Sequence, residues 1–252
     1  VIFRQSDVPE HAELHLILSA YTPISWLERN PTYKEQMREL TAKDIHNYAF
    51  LGYPVLQAAD IVLYKANLVP VGEDQLPHLE LTREVVRRFN ALVKRAVLVE
   101  PQGKLTSSPR LLGLDRRKMS KSYGNQIDVC DPPDVIRKKV MSMITDPKRM
   151  RRADVGHPDE CNVCDYYRTF CPTDADDVAD KCRRAAWGCT DCKGHLAEVL
   201  ATFLKEPRER RAELEADPSR LKDILAAGAA KAQAVARATL GEVKALTGLA
   251  GW

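Results

Sequence analysis

Asn67-Leu68-Val69-Pro70-Val71-Gly72-Glu73-Asp74-Gln75 is a short β run cut off by a glycine. It lies between two helical patterns, and that alternation decides the fold. Upstream, Phe50 to Leu63 is strongly apolar, with Pro54 in a helix's first turn and Asp60 as its single charge. Downstream, Asp74 to Arg88 reads as an amphipathic helix with Leu79, Val85 and Val86 on one side. Ala96 to Glu100 reads as another short strand, and Val1 to Arg4 as the tail of a buried one. His11 to Leu27 carries Leu14, Leu16, Leu18 and Ala20 near helical spacing, with a helix entry at Ser6 to Pro9. Lys34 to Leu40 reads as a short polar helix. Strands alternating with helices predict a parallel α/β layer. From Pro132 onward almost everything reads as helix, including the Ala-, Lys- and Leu-rich stretch Arg220 to Leu246. The expected architecture is an α/β domain over 1–131 followed by an all-helical domain over 132–252, with the boundary near Asp131-Pro132-Pro133.

The composition bounds the class. With 44% hydrophobic and 29% charged residues in 252, the chain is neither disordered nor collagen-like. No apolar run reaches the roughly 18 residues of a membrane span, and no signal peptide opens the sequence. A cytoplasmic, reducing location is expected, with no membrane partner. The 38 Lys+Arg against 35 Asp+Glu give a net charge of +3, which does not by itself argue for a polyanion. The first residue is Val1 rather than Met, and a missing N-terminal segment is the expectation.

Two constellations point to chemistry. Lys118-Met119-Ser120-Lys121-Ser122 follows Gly113 and precedes Tyr123-Gly124-Asn125. Two lysines three apart can bring two ammonium groups to one polyphosphate and offset charge on leaving pyrophosphate. The bland alternative is a solvated basic loop. Gln57 and Asp60, three apart, share a helix face, with Tyr53 one turn earlier. A carboxylate in an apolar helix is costly unless paired. Facing a pocket, Asp60 could accept a hydrogen bond from a ligand's N–H or O–H, a contact that discriminates better than an apolar wall. The alternative is a local ion pair. Gly72 permits close backbone approach at a strand end, where α/β folds bind ligands.

Of the seven cysteines, six fall between Cys161 and Cys192, and Cys130 stands apart. A disulfide framework does not suit a reducing compartment. Four thiolates at these spacings can hold Zn²⁺ or a [4Fe–4S] cluster. Spacing alone favours zinc on two pairs, Cys161 with Cys164 and Cys189 with Cys192, with Cys171 and Cys182 between them.

These motifs together resemble bacterial tryptophanyl-tRNA synthetases. The residues that carry the resemblance are Gly52 to Ile61, Val69 to Gln75, His78-Leu79-Glu80-Leu81-Thr82-Arg83, Lys118 to Ser122, Ile144 to Pro147, and Gly228 to Ala232. Lys118 to Ser122 reads KMSKS, the signature of class I aminoacyl-tRNA synthetases. The resemblance implies a Rossmann-like parallel-sheet catalytic domain, N-terminally incomplete, and a helical anticodon-binding domain. It implies that the KMSKS loop carries ATP phosphates, with Lys118 and Lys121 acting on the pyrophosphate and Mg²⁺ sharing its charge. Asp60 would accept the tryptophan indole N–H, Tyr53 and Gln75 would hold its ammonium group, and Gln57 would form a wall where many relatives have Met. Asp74 and Gly72 would lie near the adenylate. Leu27-Glu28-Arg29 and Lys34 resemble a mobile segment whose lysine reaches ATP.

For the cysteines, the resemblance implies a [4Fe–4S] cluster on Cys161, Cys182, Cys189 and Cys192, after the pattern Cys-x22-Cys-x6-Cys-x2-Cys. Here the first gap is x20, and Cys164 stays open as the fourth ligand. Lys138, Lys139, Lys148, Arg149, Arg151 and Arg152 form a basic stretch, and Arg183, Arg184 and Lys193 sit among the cysteines. They read either as a solvated helix surface or as a phosphate track for tRNA(Trp). A homodimer is implied by the resemblance alone. The expected activity joins L-tryptophan to tRNA(Trp) with ATP. The family's His-Ile-Gly-His-like motif is missing from this sequence, so the chain alone is not expected to form the adenylate. Two alternatives are a tyrosyl-tRNA synthetase relative and a non-catalytic tRNA-binding fragment or paralogue. Val71 before Gly72, in place of a second glycine, favours tryptophan.

Overall fold

The computed structural model describes residues 1–31, 33, 34, 37, 46–105 and 111–249. In chain order the named elements are α1 (Glu10–Tyr21), α2 (Ile24–Glu28), α3 (Tyr48–Val62), β1 (Leu68–Pro70), α4 (Leu76–Leu92), β2 (Gln102–Lys104), α5 (Pro133–Ser142), α6 (Asn162–Phe170), α7 (Pro172–Arg183), α8 (Cys189–Phe203), α9 (Lys205–Ala216) and α10 (Pro218–Thr247). By packing the chain divides into two units, Val1–Pro109 with Ser219–Trp252, and Arg110–Pro218. That division differs from the linear cut after Asp131 expected from sequence. The last helix belongs to the first unit, because its apolar side chains Ala232, Ala236, Leu240 and Val243 are buried in the same core as α1, α3 and α4.

In the first unit β1 and β2 pair in parallel, with Leu68 opposite Gln102 and Pro70 opposite Lys104. The connection between them runs through α4, the crossover that parallel pairing requires. Leu79, Leu81, Val85, Val86 and Phe89 of α4 are buried, and each full burial contributes roughly 1.5–3 kcal/mol. The helix expected over His11 to Leu27 is broken at Thr22 and Pro23 into α1 and α2. Proline has no N–H to continue the ladder, and the residue before it is driven to extended geometry. α3 starts two residues earlier than expected because Asn47 caps it, its side chain accepting from Phe50 N–H at 3.0 Å. Pro54 therefore lies inside α3 rather than in its first turn. Of the polar helix expected over residues 34–40, positions 35, 36 and 38–40 lie outside the described residues.

Two expected strands are absent among the described residues. Residues 1–4 pair with no strand. Residues 96–100 bury Val97 and Leu98 without a ladder. The Asn90 side chain serves their backbone instead, accepting from Val97 N–H and Leu98 N–H at 3.1 Å each and donating to Leu98 C=O at 2.8 Å. Buried backbone groups need partners, and one amide here supplies three.

The second unit is helical, with α5, α6 and α8 around a core that includes Ile136, Val140, Tyr166, Tyr167, Leu196 and Leu200. Its polar ties hold the segment that carries Lys118 to Ser122. Asn162 Nδ2 donates to Gly113 C=O and the Tyr166 hydroxyl to Leu112 C=O, each at 2.8 Å.

Candidate active site

Tyr53, Gln57 and Asp60 recur along one face of α3, at a helical spacing of three to four residues. Gln57 Nε2 donates to Gln75 Oε1 at 3.3 Å, and Gln75 Nε2 donates to Asp74 Oδ2 at 3.0 Å. Gln75 lies in a single 3-10 turn, Glu73–Gln75, between β1 and α4. Gly72 caps that turn. A Cβ there would stand 2.7 Å from Asp74 Oδ1, so the glycine is what lets the carboxylate fold back over the strand end. The structure therefore brings Tyr53's helix, Gln57, Gln75, Asp74 and Gly72 to one place. Lys34 is exposed, and its backbone N–H is bonded to Asn30 C=O at 3.2 Å.

Sequence reasoning missed the histidines that back this face. The Tyr53 hydroxyl lies 3.1 Å from His78 Nε2, and the Asn30 side-chain amide lies 3.4 Å from His78 Nδ1. Burial lowers the His78 pKa against the pull of Asp74, and burial raises that of Tyr53. One turn beyond Gln57, Asp60 Oδ1 accepts from Gln5 Nε2 at 2.7 Å and meets His11 Nδ1 at 2.7 Å. His11 Nε2 in turn meets the Tyr64 hydroxyl at 2.7 Å. These partners are about fifty residues apart in sequence, so no local spacing reveals them.

In the second unit Lys118 pairs with Leu112 in an isolated antiparallel bridge, and both Lys118 and Lys121 are exposed. Met119 is packed against the helical core and anchors the loop. Asn125, 4% exposed, organises it: Oδ1 accepts from Ser120 N–H at 2.8 Å, and Nδ2 donates to Asp115 Oδ1 at 2.8 Å and Lys118 C=O at 3.1 Å. Lys121–Tyr123 is a 3-10 turn, and Gly124 leaves it with φ +62, a left-handed conformation that suits glycine. The result is a braced loop presenting two exposed ammonium groups, an arrangement able to meet a polyphosphate.

The cysteine expectation needs correction. Cys161, Cys164, Cys182, Cys189 and Cys192 line one cavity, but its volume is about 20 Å³, room for roughly one water. The buried Cys164 thiol donates to Cys161, which lowers the Cys161 pKa and raises that of Cys164. Cys182 Sγ lies 3.9 Å from Arg149 Nη1. Among the described residues no three Cys, His, Asp or Glu side chains are grouped to hold a metal ion. The iron–sulfur cluster expected on Cys161, Cys182, Cys189 and Cys192, and its zinc alternative, do not stand. Cys161 and Cys164 instead form part of the apolar core of this unit, with Cys171 and Cys192 packed against it.

Much of the basic stretch is internally paired. Lys139 bonds Asp131 at 2.6 Å, Lys148 bonds Glu160 at 2.6 Å, and Arg152 bonds Asp191 at 3.1 Å. Arg149 donates to the carbonyls of Arg152 and Trp187 at 2.8 Å each, and Lys193 to that of Met141 at 3.0 Å.

The family described as tRNA synthetases class I (W and Y) matches residues 1–205. A tryptophan–tRNA ligase of Thermotoga maritima is 46% identical over 246 residues, covering 97% of this chain and 75% of the relative. The crystal structure of tryptophanyl-tRNA synthetase from Campylobacter jejuni, complexed with ADP and tryptophan, superposes with a TM-score of 0.82 at 32% identity, covering 98% of this chain and 76% of that one. A tyrosyl-tRNA synthetase from Archaeoglobus fulgidus shares the fold at a TM-score of 0.58 and 22% identity, covering 79% of this chain and 62% of that one. The Rossmann-like α/β domain and helical domain expected from sequence are the fold class of these proteins. The chain belongs to the class I tRNA synthetases of the tryptophan and tyrosine family.

Proposed function

We propose that the chain is a tryptophan–tRNA ligase, its residues serving a reaction that also calls on the family's His-Ile-Gly-His-like motif, which this sequence does not contain. The tryptophan carboxylate attacks the α-phosphorus of ATP, giving tryptophanyl-adenylate and pyrophosphate, and the 3′-terminal ribose hydroxyl of tRNA(Trp) then takes the tryptophanyl group. No covalent enzyme nucleophile is needed, so catalysis is positioning and charge stabilisation. Asp60 accepts the indole N–H, Tyr53 and Gln75 hold the ammonium group, and Gln57 walls the pocket. Asp74 and Gly72 lie beside the adenylate. Lys118 and Lys121, on the loop that includes Met119, Ser120 and Ser122, offset the pyrophosphate charge, and Lys34 reaches ATP. Mg²⁺, when bound with ATP, supplies further positive charge to the phosphates.

The observation that carries this reading is the bond between Gln57 and Gln75 on the face that also bears Tyr53 and Asp60. An apolar helix with three polar anchors suits a ligand that is aromatic at one end and charged at the other. Calorimetry with L-tryptophan tests it. The parent chain should bind, and Asp60→Asn should weaken binding about tenfold or more, the cost of a lost charge-assisted hydrogen bond. Equal binding by parent and variant would remove Asp60 from the site.

For tRNA, the exposed ion pairs of the basic stretch support the reading. Such pairs contribute only about 0–1 kcal/mol, so phosphates can displace the carboxylates. The helical region 132–252 is the proposed anticodon-binding part. The proposed location is the cytoplasm. Among the described residues no helix is long and apolar enough to cross a membrane. A second copy of the chain is the proposed protein partner, and Leu16 and Ile24, 68% and 63% exposed, offer it apolar contact.

A further inference from the structure

Asp60 is held by a donor set that fixes its orientation. Gln5 Nε2 and His11 Nδ1 both lie 2.7 Å from the same oxygen, Oδ1. His11 is 4% exposed, whereas the Asp60 side chain is 37% exposed. An ionised carboxylate has no hydrogen to give, so Nδ1 carries the proton of that contact. The other ring nitrogen faces the Tyr64 hydroxyl, which can donate to it from 2.7 Å. Phe3 closes the cluster, with ring centroids 6.0 Å from both His11 and Tyr64. The ring of His11 is thus held at both nitrogens and cannot swing away from Asp60.

We infer that Gln5, His11 and Tyr64 are positioning residues that make Asp60 a fixed acceptor for a ligand N–H at Oδ2. The inference rests on the proposed role of Asp60 in tryptophan recognition. With Oδ1 saturated by two donors, the carboxylate plane cannot rotate, and its second oxygen is left for the ligand. A carboxylate free to turn could adapt to ligands that lack a donor. One held in place favours a ligand that brings a donor, because Oδ1 is already taken by Gln5 and His11 and only Oδ2 is presented. The indole ring would then be read by its N–H as well as by its shape.

The test compares L-tryptophan with β-(benzothiophen-3-yl)-L-alanine, in which sulfur replaces the N–H, by calorimetry on the whole chain. The parent should prefer tryptophan by about tenfold or more. His11→Leu should bring the ratio close to one, and His11→Asn, which keeps a donor near the Nδ1 position, should restore most of it. Gln5→Met, at an exposed position where folding is not at stake, should lower the ratio several-fold. Tyr64→Phe removes only a hydroxyl and should lower it too. A general loosening of the pocket would weaken both ligands alike and leave the ratio unchanged. If the parent prefers tryptophan and every variant keeps the full preference, the positioning role is overturned while the Asp60 reading survives. If the parent itself shows no preference, the Asp60 reading fails, and this inference with it.

Discussion

The Tyr53 hydroxyl stands 3.1 Å from Nε2 of His78, and that histidine is only 2% exposed. Through this contact α4 holds a side chain of α3 in the candidate pocket.

Burial lowers the His78 pKa below its ordinary value, and it does the same to His15, while nearby Asp74 and Asp60 oppose the shift. Both rings are therefore kept neutral in the folded state more strongly than in the unfolded one. Between the folded and unfolded pKa values the unfolded chain binds more protons, so stability rises with pH there. The contribution is fully present above the unfolded value of about 6.5 and is lost as pH falls through the folded values. Thermal unfolding should show Tm falling as pH is lowered from about 6.5 towards 5. His78→Gln should show a shallower fall. A Tm that stays flat or rises over that window would contradict the assignment.

Asn125 makes its three bonds while almost fully buried, and its donation to Asp115 is the first cause that lowers that carboxyl to about 2. Replacing it with alanine removes its bonds to the Ser120 N–H and the Lys118 carbonyl. Asn125→Ala should cost about 1–3 kcal/mol in denaturant unfolding. It should also raise the Asp115 pKa, which carbon-detected NMR titration reads directly. An unchanged Asp115 pKa in the variant would show that the Asn125 bond is not its cause.

Lys118 and Lys121 are exposed, so their loss does not threaten the core. Lys118→Ala and Lys121→Ala should each weaken ATP binding about tenfold, near 1.5 kcal/mol, as expected for a charge-assisted contact. L-tryptophan affinity should not change in either variant. Calorimetry with the two ligands separately makes the comparison, and equal weakening of both would point to a folding defect instead of a phosphate contact.

Local pattern was enough for α4, whose apolar residues recur at helical spacing, and for the helices after Pro132. Lys118 to Ser122 could be singled out for the proposal because that motif is contiguous. Local pattern failed where a side chain replaced a ladder: Asn90 satisfies Val97 and Leu98, so an apolar β-like run stays out of the sheet. At Asp60, read as a ligand anchor, it gave no sign of Gln5 or His11. Those partners lie 55 and 49 residues away, and only the packing of α1 on α3 brings them in. The cysteines misled in the opposite sense. Their spacing mimics a ligand set, yet Cys161 and Cys164 start a helix whose thiols face an apolar core.

Side-by-side equilibrium binding of L-tryptophan and L-tyrosine to the chain tests the central claim most directly. Saturable binding of tryptophan, with tyrosine at least about a hundredfold weaker, is the predicted result, since a pocket built around an acceptor discriminates by two or more powers of ten. Tyrosine bound as tightly as tryptophan, or no binding of tryptophan at all, would contradict the account.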